Sequence, residues 1–398
     1  MSLSNSKFAE WDTHRNNVVN TRYRVAGAAF LAFCIFFVGV GRSAQELPAR
    51  LSDEAFWKLV TDFSEPGGYF LSDNFVSNER LFQRVLTDLK QDRPPGGAYL
   101  GVGPEQNFTY VVALRPSIAF VFDIRRQNMI EHLMYTALFE ISSDRAEFLS
   151  RLFSRARPAT LGVDATVAEL FKAFADTSPD TELFRENLRA IKDHLIADHG
   201  FKLTAEDEMS LEYVFSAFFI SGPNLAYSRT SPPGVMPSYE ELMTEIDEVG
   251  RPQSFLATEA NFGMMREFEA GNLLIPVVGD FAGPTAIRSV SAYLKEHSTP
   301  VTAFYVSNVE QYLFRSEDQS WRRFYENVST LPLRPGSMFI RALIRTRTGQ
   351  YSPQPVVRAG YSYLEIALSP IADLVDAFNS NMVQGYPDIL LNQTVPNQ

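Results

Sequence analysis

Apolar positions along this chain fall into two rhythms. Phe56, Leu59, Val60 and Phe63 recur at three- and four-residue spacing, which predicts an amphipathic helix over 53–63. Phe82, Val85, Leu86 and Leu89 restore that period until Arg93-Pro94-Pro95-Gly96 breaks it. Residues 64–79 between them are dense in Gly, Asn, Asp and Ser, which is loop chemistry. Short unbroken apolar runs follow at Tyr99-Leu100, 118–122, 273–278 and 301–306, with a further strand expected at 337–344. Such runs lack polar alternation, as strands buried on both faces do. Helical periods separate them: Ile130, Leu133, Met134, Ala137 and Leu138 after the second, Ile287, Val290 and Leu294 after the third, and 318–328 after the fourth. Strands alternating with helices predict an α/β, Rossmann-like fold, a mostly parallel sheet with helices on both faces.

Residues 141–225 show no convincing strand, only helical stretches broken at Arg157-Pro158 and Thr177-Ser178-Pro179. A large, mainly helical insertion is therefore expected over 141–270, with a loop around Ser231-Pro232-Pro233-Gly234. It divides the sheet domain into a first half, 50–140, and a second half, 271–370, followed by a C-terminal extension, 371–398.

The N-terminus reads differently. A polar tail, 1–23, precedes a hydrophobic segment, 24–42, in which seventeen uncharged residues stand between Arg24 and Arg42. At about 1.5 Å per residue that run reaches the lower limit of a bilayer span, which predicts an N-terminal hydrophobic helix anchored in a membrane. Lys7, Arg15, Arg22 and Arg24 outnumber Glu10 and Asp12, so the tail is expected in the cytoplasm and the main domain outside it. Cleavage as a signal after Gly41, with Gly39 at the −3 position, is the competing reading, and a cytoplasm-facing domain a third.

Composition narrows the chemistry. A net charge of −11 without a basic block argues against a nucleic-acid partner. The one cysteine, Cys34, lies in the hydrophobic segment, so internal disulfides and thiol catalysis in the folded domain are excluded. The histidines (His14, His132, His194, His199, His297) are scattered, and five-residue spacing places His194 and His199 on different sides of an α-helix. No metal site is expected from them. Nucleophile-elbow, zinc-protease and Walker motifs are absent from the sequence.

The most specific chemistry lies in 97–123. The first strand stops at Gly101-Val102-Gly103, a helix-length segment follows, and the second strand ends in Asp123, twenty residues beyond Gly103. Glycines there let backbone approach a ligand, and a carboxylate at the next strand tip can accept hydrogen bonds from a ribose diol. The same order also suits an α/β core turn without a ligand, and Asp123 is equally suited to cap the following helix. Two later tips, Gly279-Asp280 and Ser307-Asn308, complete a set of four, and Asp280 too reads as a cap. Arg125 and Arg126 suit either an anionic ligand or a solvated first turn, and Tyr99, Phe108 and Tyr110 either an adenine slot or core. Glu65 and Glu79 bracket the 64–79 loop, as cleft-covering groups or as solvated charge.

These four tips resemble the class I S-adenosylmethionine-dependent methyltransferase fold. By that resemblance Gly101 and Gly103 would lie against the cofactor, Asp123 would bind its ribose, Asp280 would lie near adenine, and Asn308 would face the substrate. Residues 64–79, 101–108 and 278–283 also resemble an uncharacterised bacterial family with this predicted fold. Tyr99 occupies a position where the methyltransferases usually have an acid, and Glu105 one where they have a third glycine. Glu105 is thus a candidate to supply the missing carboxylate to the cofactor ammonium. Together with the hydrophobic segment, the resemblance implies a membrane-anchored or exported protein binding S-adenosylmethionine or a related nucleoside, with Asn308 or Glu65 orienting a methyl acceptor. A non-catalytic extracytoplasmic binding or scaffold protein is the alternative. A dinucleotide-dependent oxidoreductase is a third, although Gln106 stands where its fingerprint wants glycine.

Overall fold

Among the described residues six strands make one sheet, in the order β3-β2-β1-β4-β5-β6. They are β1 (Ala98–Val102), β2 (Ile118–Asp123), β3 (Leu274–Val278), β4 (Val301–Ser307), β5 (Leu333–Thr346) and β6 (Ser362–Pro370). This computed structural model describes residues 46–91, 94–159, 161–229, 235–358 and 362–390, so the tail and the hydrophobic segment 24–42 lie outside the described residues. Among the described residues no helix is long and apolar enough to cross a membrane.

Strands β1 to β5 run parallel, and β6 is antiparallel to β5. β5 extends beyond the expected 337–344, and β6 was not anticipated at all. The strand interiors explain the uninterrupted runs: β2 and β3 are buried at every position. The order reverses between β1 and β4, where chains leaving neighbouring strands diverge and open a crevice beyond the carboxyl ends.

The expected helix over 53–63 forms as Asp53–Phe63, opened by Ser52, whose Oγ accepts from the Ala55 N–H. The expected 82–89 period forms as a 3-10 turn (Phe82–Val85) running into a helix (Leu86–Lys90). Between β2 and β3 the named elements of the described residues are all helices, joined by irregular segments, and the loop expected at 231–234 lies outside the described residues. The helix after β2, Arg126–Glu140, carries the predicted apolar stripe of Ile130, Leu133, Met134, Ala137 and Leu138. It is covered well beyond that stripe, because it packs on β2 and β3 and also against the helices Ala205–Ser221 and Glu259–Ala270. Asn128, Glu131, His132 and Thr136 are consequently buried along with Leu133 and Phe139. Phe108 joins the two layers, meeting Tyr135, Phe139 and Phe255 edge-on at ring separations of 5.0–5.4 Å.

Candidate functional site

The four strand tips converge on one crevice of about 270 Å³. Val102 ends β1 and Gly103 and Pro104 follow it, Asp123 ends β2 before Ile124, Gly279, Asp280 and Phe281 follow β3, and Tyr305 and Ser307 close β4 before Asn308. The 64–79 loop crosses above them with Phe70, Asn74, Ser77 and Asn78, and Tyr227 reaches in from the insertion. Val309, Tyr312 and Leu313 of the helix Val309–Arg315 close one side.

The two glycines of the first turn have different reasons to be glycine. Gly103 has a φ of +77°, and a Cβ built on it meets nothing within 4 Å, so its bare face borders open space. A Cβ on Gly101 would sit 1.8 Å from Asn107 Oδ1. Asn107 holds the turn itself: its Nδ2 donates to the carbonyls of Val102, Gly103 and Pro104 at 2.7–3.1 Å, and its Oδ1 accepts from Tyr99 Oη at 2.8 Å. His132 Nε2 lies 2.8 Å from the Gly103 carbonyl. Burial pushes His132 down to about 4 and leaves it neutral, and since the carbonyl only accepts, Nε2 carries the proton.

The acidic candidates separate sharply. Asp123 lines the crevice but does not cap the following helix, whose N-cap position is Arg125. Its Oδ1 accepts from the Arg125 N–H at 2.8 Å, and the Arg125 guanidinium lies 3.2 Å from both carboxylate oxygens. Arg125 is buried rather than solvated, and its Nη1 also donates to the carbonyls of Ser72 and Asp73. Asp280 lines the crevice as well and does not cap the next helix either; its Oδ1 accepts from the Ala282 N–H at 2.8 Å.

Glu65 takes the capping role. Its carboxylate accepts from the N–H groups of Thr285, Ala286 and Asp280 at 2.7, 2.9 and 3.2 Å, and it is not among the crevice-lining residues. Glu79 is fully buried, contrary to a solvated loop charge, and accepts from Gln106 Nε2 at 3.1 Å and from Ser307 Oγ. Burial raises its carboxyl. Glu105 is equally buried, outside the lining set, and turned to the Ser77 N–H at 3.3 Å. Burial raises it to about 8. Both oxygens of Glu131, also buried, lack a hydrogen-bond partner, and burial reinforced by Glu105 keeps its carboxyl protonated well above the usual range.

Tyr99, Phe108 and Tyr110 are core, fully shielded from solvent, and form no adenine slot. Arg126 pairs with Asp207 of the insertion at 2.6 and 2.8 Å and is not among the crevice-lining residues. Asn308 faces the crevice, its Nδ2 3.3 Å from the Pro355 carbonyl. The aromatic walls are Phe70, Tyr227, Phe281, Tyr305 and Tyr312, none of which sequence reasoning singled out. Of these only Phe70 had a local signal, its place within the 64–79 loop. Among the described residues that line the crevice there is no lysine, arginine or histidine.

The histidines require a correction. Residues 194–198 form a π-helical turn, closed by the His199 N–H donating to the His194 carbonyl at 3.1 Å. The wider turn brings residues five apart onto one side, so His194 and His199 are adjacent, with ring centroids 4.7 Å apart. Both Nε2 atoms lie against Glu140 Oε2, at 2.8 and 2.9 Å. The bond to Glu140 raises His194, and raises His199 to about 9.

A family model described as "Domain of unknown function (DUF7790)" matches residues 74–375, and the chain belongs to that family. No curated protein matches the sequence.

Proposed function

We propose that this member of the DUF7790 family is a methyltransferase-like protein that binds a phosphate-free nucleoside ligand, S-adenosylmethionine foremost, at the switch point of its sheet. The reading is carried by one observation: all four tips border a single crevice that has two carboxylates and no cation among its described lining residues. A sulfonium and an ammonium suit such walls, and the aromatic faces of Phe70, Tyr227 and Tyr312 offer stacking or cation–π contact. A pyrophosphate does not suit them. Pro104 has no N–H to give, the Gly103 N–H already donates to the Phe122 carbonyl at 3.1 Å, and β6 runs against the parallel order of a dinucleotide fold.

In this reading Gly103 lets the ligand approach the backbone, and Asp123 and Asp280 accept its hydroxyl or amino hydrogens. Asp123 keeps acceptor capacity on Oδ2 despite Arg125, because each carboxylate oxygen carries two lone pairs. Asn308 faces the space an acceptor would enter, and catalysis would consist mainly of holding that acceptor in line with the methyl group. Glu65 and Glu105 have no part in it.

The buried Asp123–Arg125 pair favours a second reading, a scaffold that keeps the sheet but not the cofactor. Thermal denaturation of the full chain with S-adenosylmethionine, S-adenosylhomocysteine or NAD separates them. A ligand at a hundred times its dissociation constant adds about 2.7 kcal/mol. Shifts with the first two alone support the nucleoside reading, no shift with any supports the scaffold, and a shift with NAD supports the oxidoreductase. Membrane attachment through 24–42 is part of the proposal, and a reporter fused after Gln398 reads which side the domain occupies.

A further inference from the structure

At the far end of the helix Arg126–Glu140, about 20 Å from the crevice at ~1.5 Å per residue, three elements meet. Glu140 ends that helix, His194 and His199 bracket the π-helical turn, and Asp53 opens the helix Asp53–Phe63. Among the described residues, the ligand atoms of Glu140, His194 and His199 all lie within 4.8 Å of one another. We propose that these three residues bind a divalent first-row transition metal of the Zn²⁺ class, which clamps the insertion to the sheet domain.

Two imidazoles and one carboxylate are a donor set suited to such ions. The surroundings carry the argument further. A ligating histidine typically gives its other ring N–H to a carboxylate, which fixes the tautomer and the ring plane. Both histidines do so here: His199 Nδ1 lies 2.8 Å from Asp53 Oδ1, and His194 Nδ1 lies 2.9 Å from Asp198 Oδ2. Asp53 is itself held, accepting from Asn272 Nδ2 at 2.8 Å. The remaining atom of the set, Glu140 Oε1, is closed off from solvent and has no hydrogen-bond partner. An ion at the focus of the two Nε2 atoms and Glu140 replaces only the two Nε2 contacts to Oε2 and leaves every orienting bond in place. The two rings meet edge to face, their planes 81° apart, with both Nε2 atoms against the same carboxylate oxygen. The α-helical turn expected from the sequence would separate the two rings. The π turn brings them together, and such turns are often found at functional sites.

The test is direct binding. Full-length protein stripped with a chelator and dialysed against Zn²⁺ is expected to retain about one ion per chain at micromolar free metal or below, and to show a higher Tm when loaded. Co²⁺ is expected to give visible ligand-field bands. His194→Gln and His199→Gln are expected to weaken binding by at least about a hundredfold. Asp198→Asn keeps all three ligands and is expected to weaken it by about 10–100-fold. His199 also stacks on Phe201 at 4.9 Å, so its loss tests packing as well as ligation. His194→Gln, checked for native near-UV circular dichroism, is therefore decisive. A wild-type protein that fails to hold Zn²⁺ under these conditions overturns the proposal and leaves the cluster a protonated ion-pair network. Binding of unchanged strength in folded His194→Gln overturns it equally.

Discussion

Arg125 wraps back onto Asp123 at the tip of β2, with Nε 3.2 Å from Oδ1 and Nη2 3.2 Å from Oδ2. Both side chains are less than a tenth exposed, and the same guanidinium reaches the carbonyls of Ser72 and Asp73 in the loop above the crevice. The pair thus fixes both the floor and the roof of the candidate site. Removing one member of a buried pair leaves the other charge without compensation. Arg125→Ala is expected to lower unfolding free energy by about 3–5 kcal/mol, read by chemical denaturation. Asp123→Asn keeps the shape and a hydrogen-bond acceptor. It is expected to weaken S-adenosylmethionine binding about tenfold or more by calorimetry, and an unchanged affinity removes Asp123 from the ligand site.

The two turn glycines give opposite expectations. Gly103→Ala places a methyl in open space at a φ of +77°, costing about 1–2 kcal/mol in backbone strain while intruding on the crevice. Its effect on ligand affinity should exceed its effect on stability. Gly101→Ala drives a Cβ to 1.8 Å from Asn107 Oδ1 and displaces the side chain that ties the turn. It should unfold the protein at markedly lower denaturant than Gly103→Ala does. Paired melting and binding curves for the two variants check this.

Glu105 predicts a pH dependence. Burial raises its carboxyl from an ordinary 4.5 to about 8, so the folded chain holds a proton that the unfolded chain releases. Its contribution is complete below about pH 4.5, declines at about 1.4 kcal/mol per pH unit above that, and is lost by about pH 8. Glu105→Gln is neutral throughout and should remove this component, so that the variant gains stability relative to wild type as pH rises from 5 to 8. A constant difference across that range contradicts the assignment.

Glu65 supplies the first turn of the helix Ala286–Glu296 with acceptors for the Thr285 and Ala286 N–H groups. Glu65→Ala is expected to cost about 1–2 kcal/mol as a lost cap. Affinity for S-adenosylmethionine should stay within about twofold of wild type, because the carboxylate does not border the crevice. A large loss of affinity without loss of stability would return Glu65 to the site.

A buried ion pair deeper in the sheet sets a stability benchmark. Arg341 Nε lies 2.6 Å from Glu310 Oε2, and Glu310 Oε1 accepts from Tyr325 Oη at 2.6 Å. Arg341→Met alone should cost about 3–5 kcal/mol. The double variant with Glu310→Leu should recover much of that, as a double-mutant cycle in denaturant would show.

Local order was legible in the chain itself. Run length and helical period announced five of the six strands and the helix Asp53–Phe63, because burial on both faces, or on one stripe, leaves its mark within a few residues. The same holds for Gly103, Asp123, Asp280 and Asn308, which a parallel sheet carries to one edge wherever strands and helices alternate. What the tertiary structure decided involves partners far apart in sequence. Glu65 caps a helix 221 residues away, Glu79 meets Ser307 across 228, and His199 meets Glu140 across 59. Whether a carboxylate is a ligand, a cap or a protonated core group depends on desolvation and on those distant partners. Nothing within a few residues of Glu65, Glu79, Glu105 or Glu131 distinguishes them. The histidine pair was hidden for a related reason: a single π turn, held in place by the packing around it, changes which residues share a helix face.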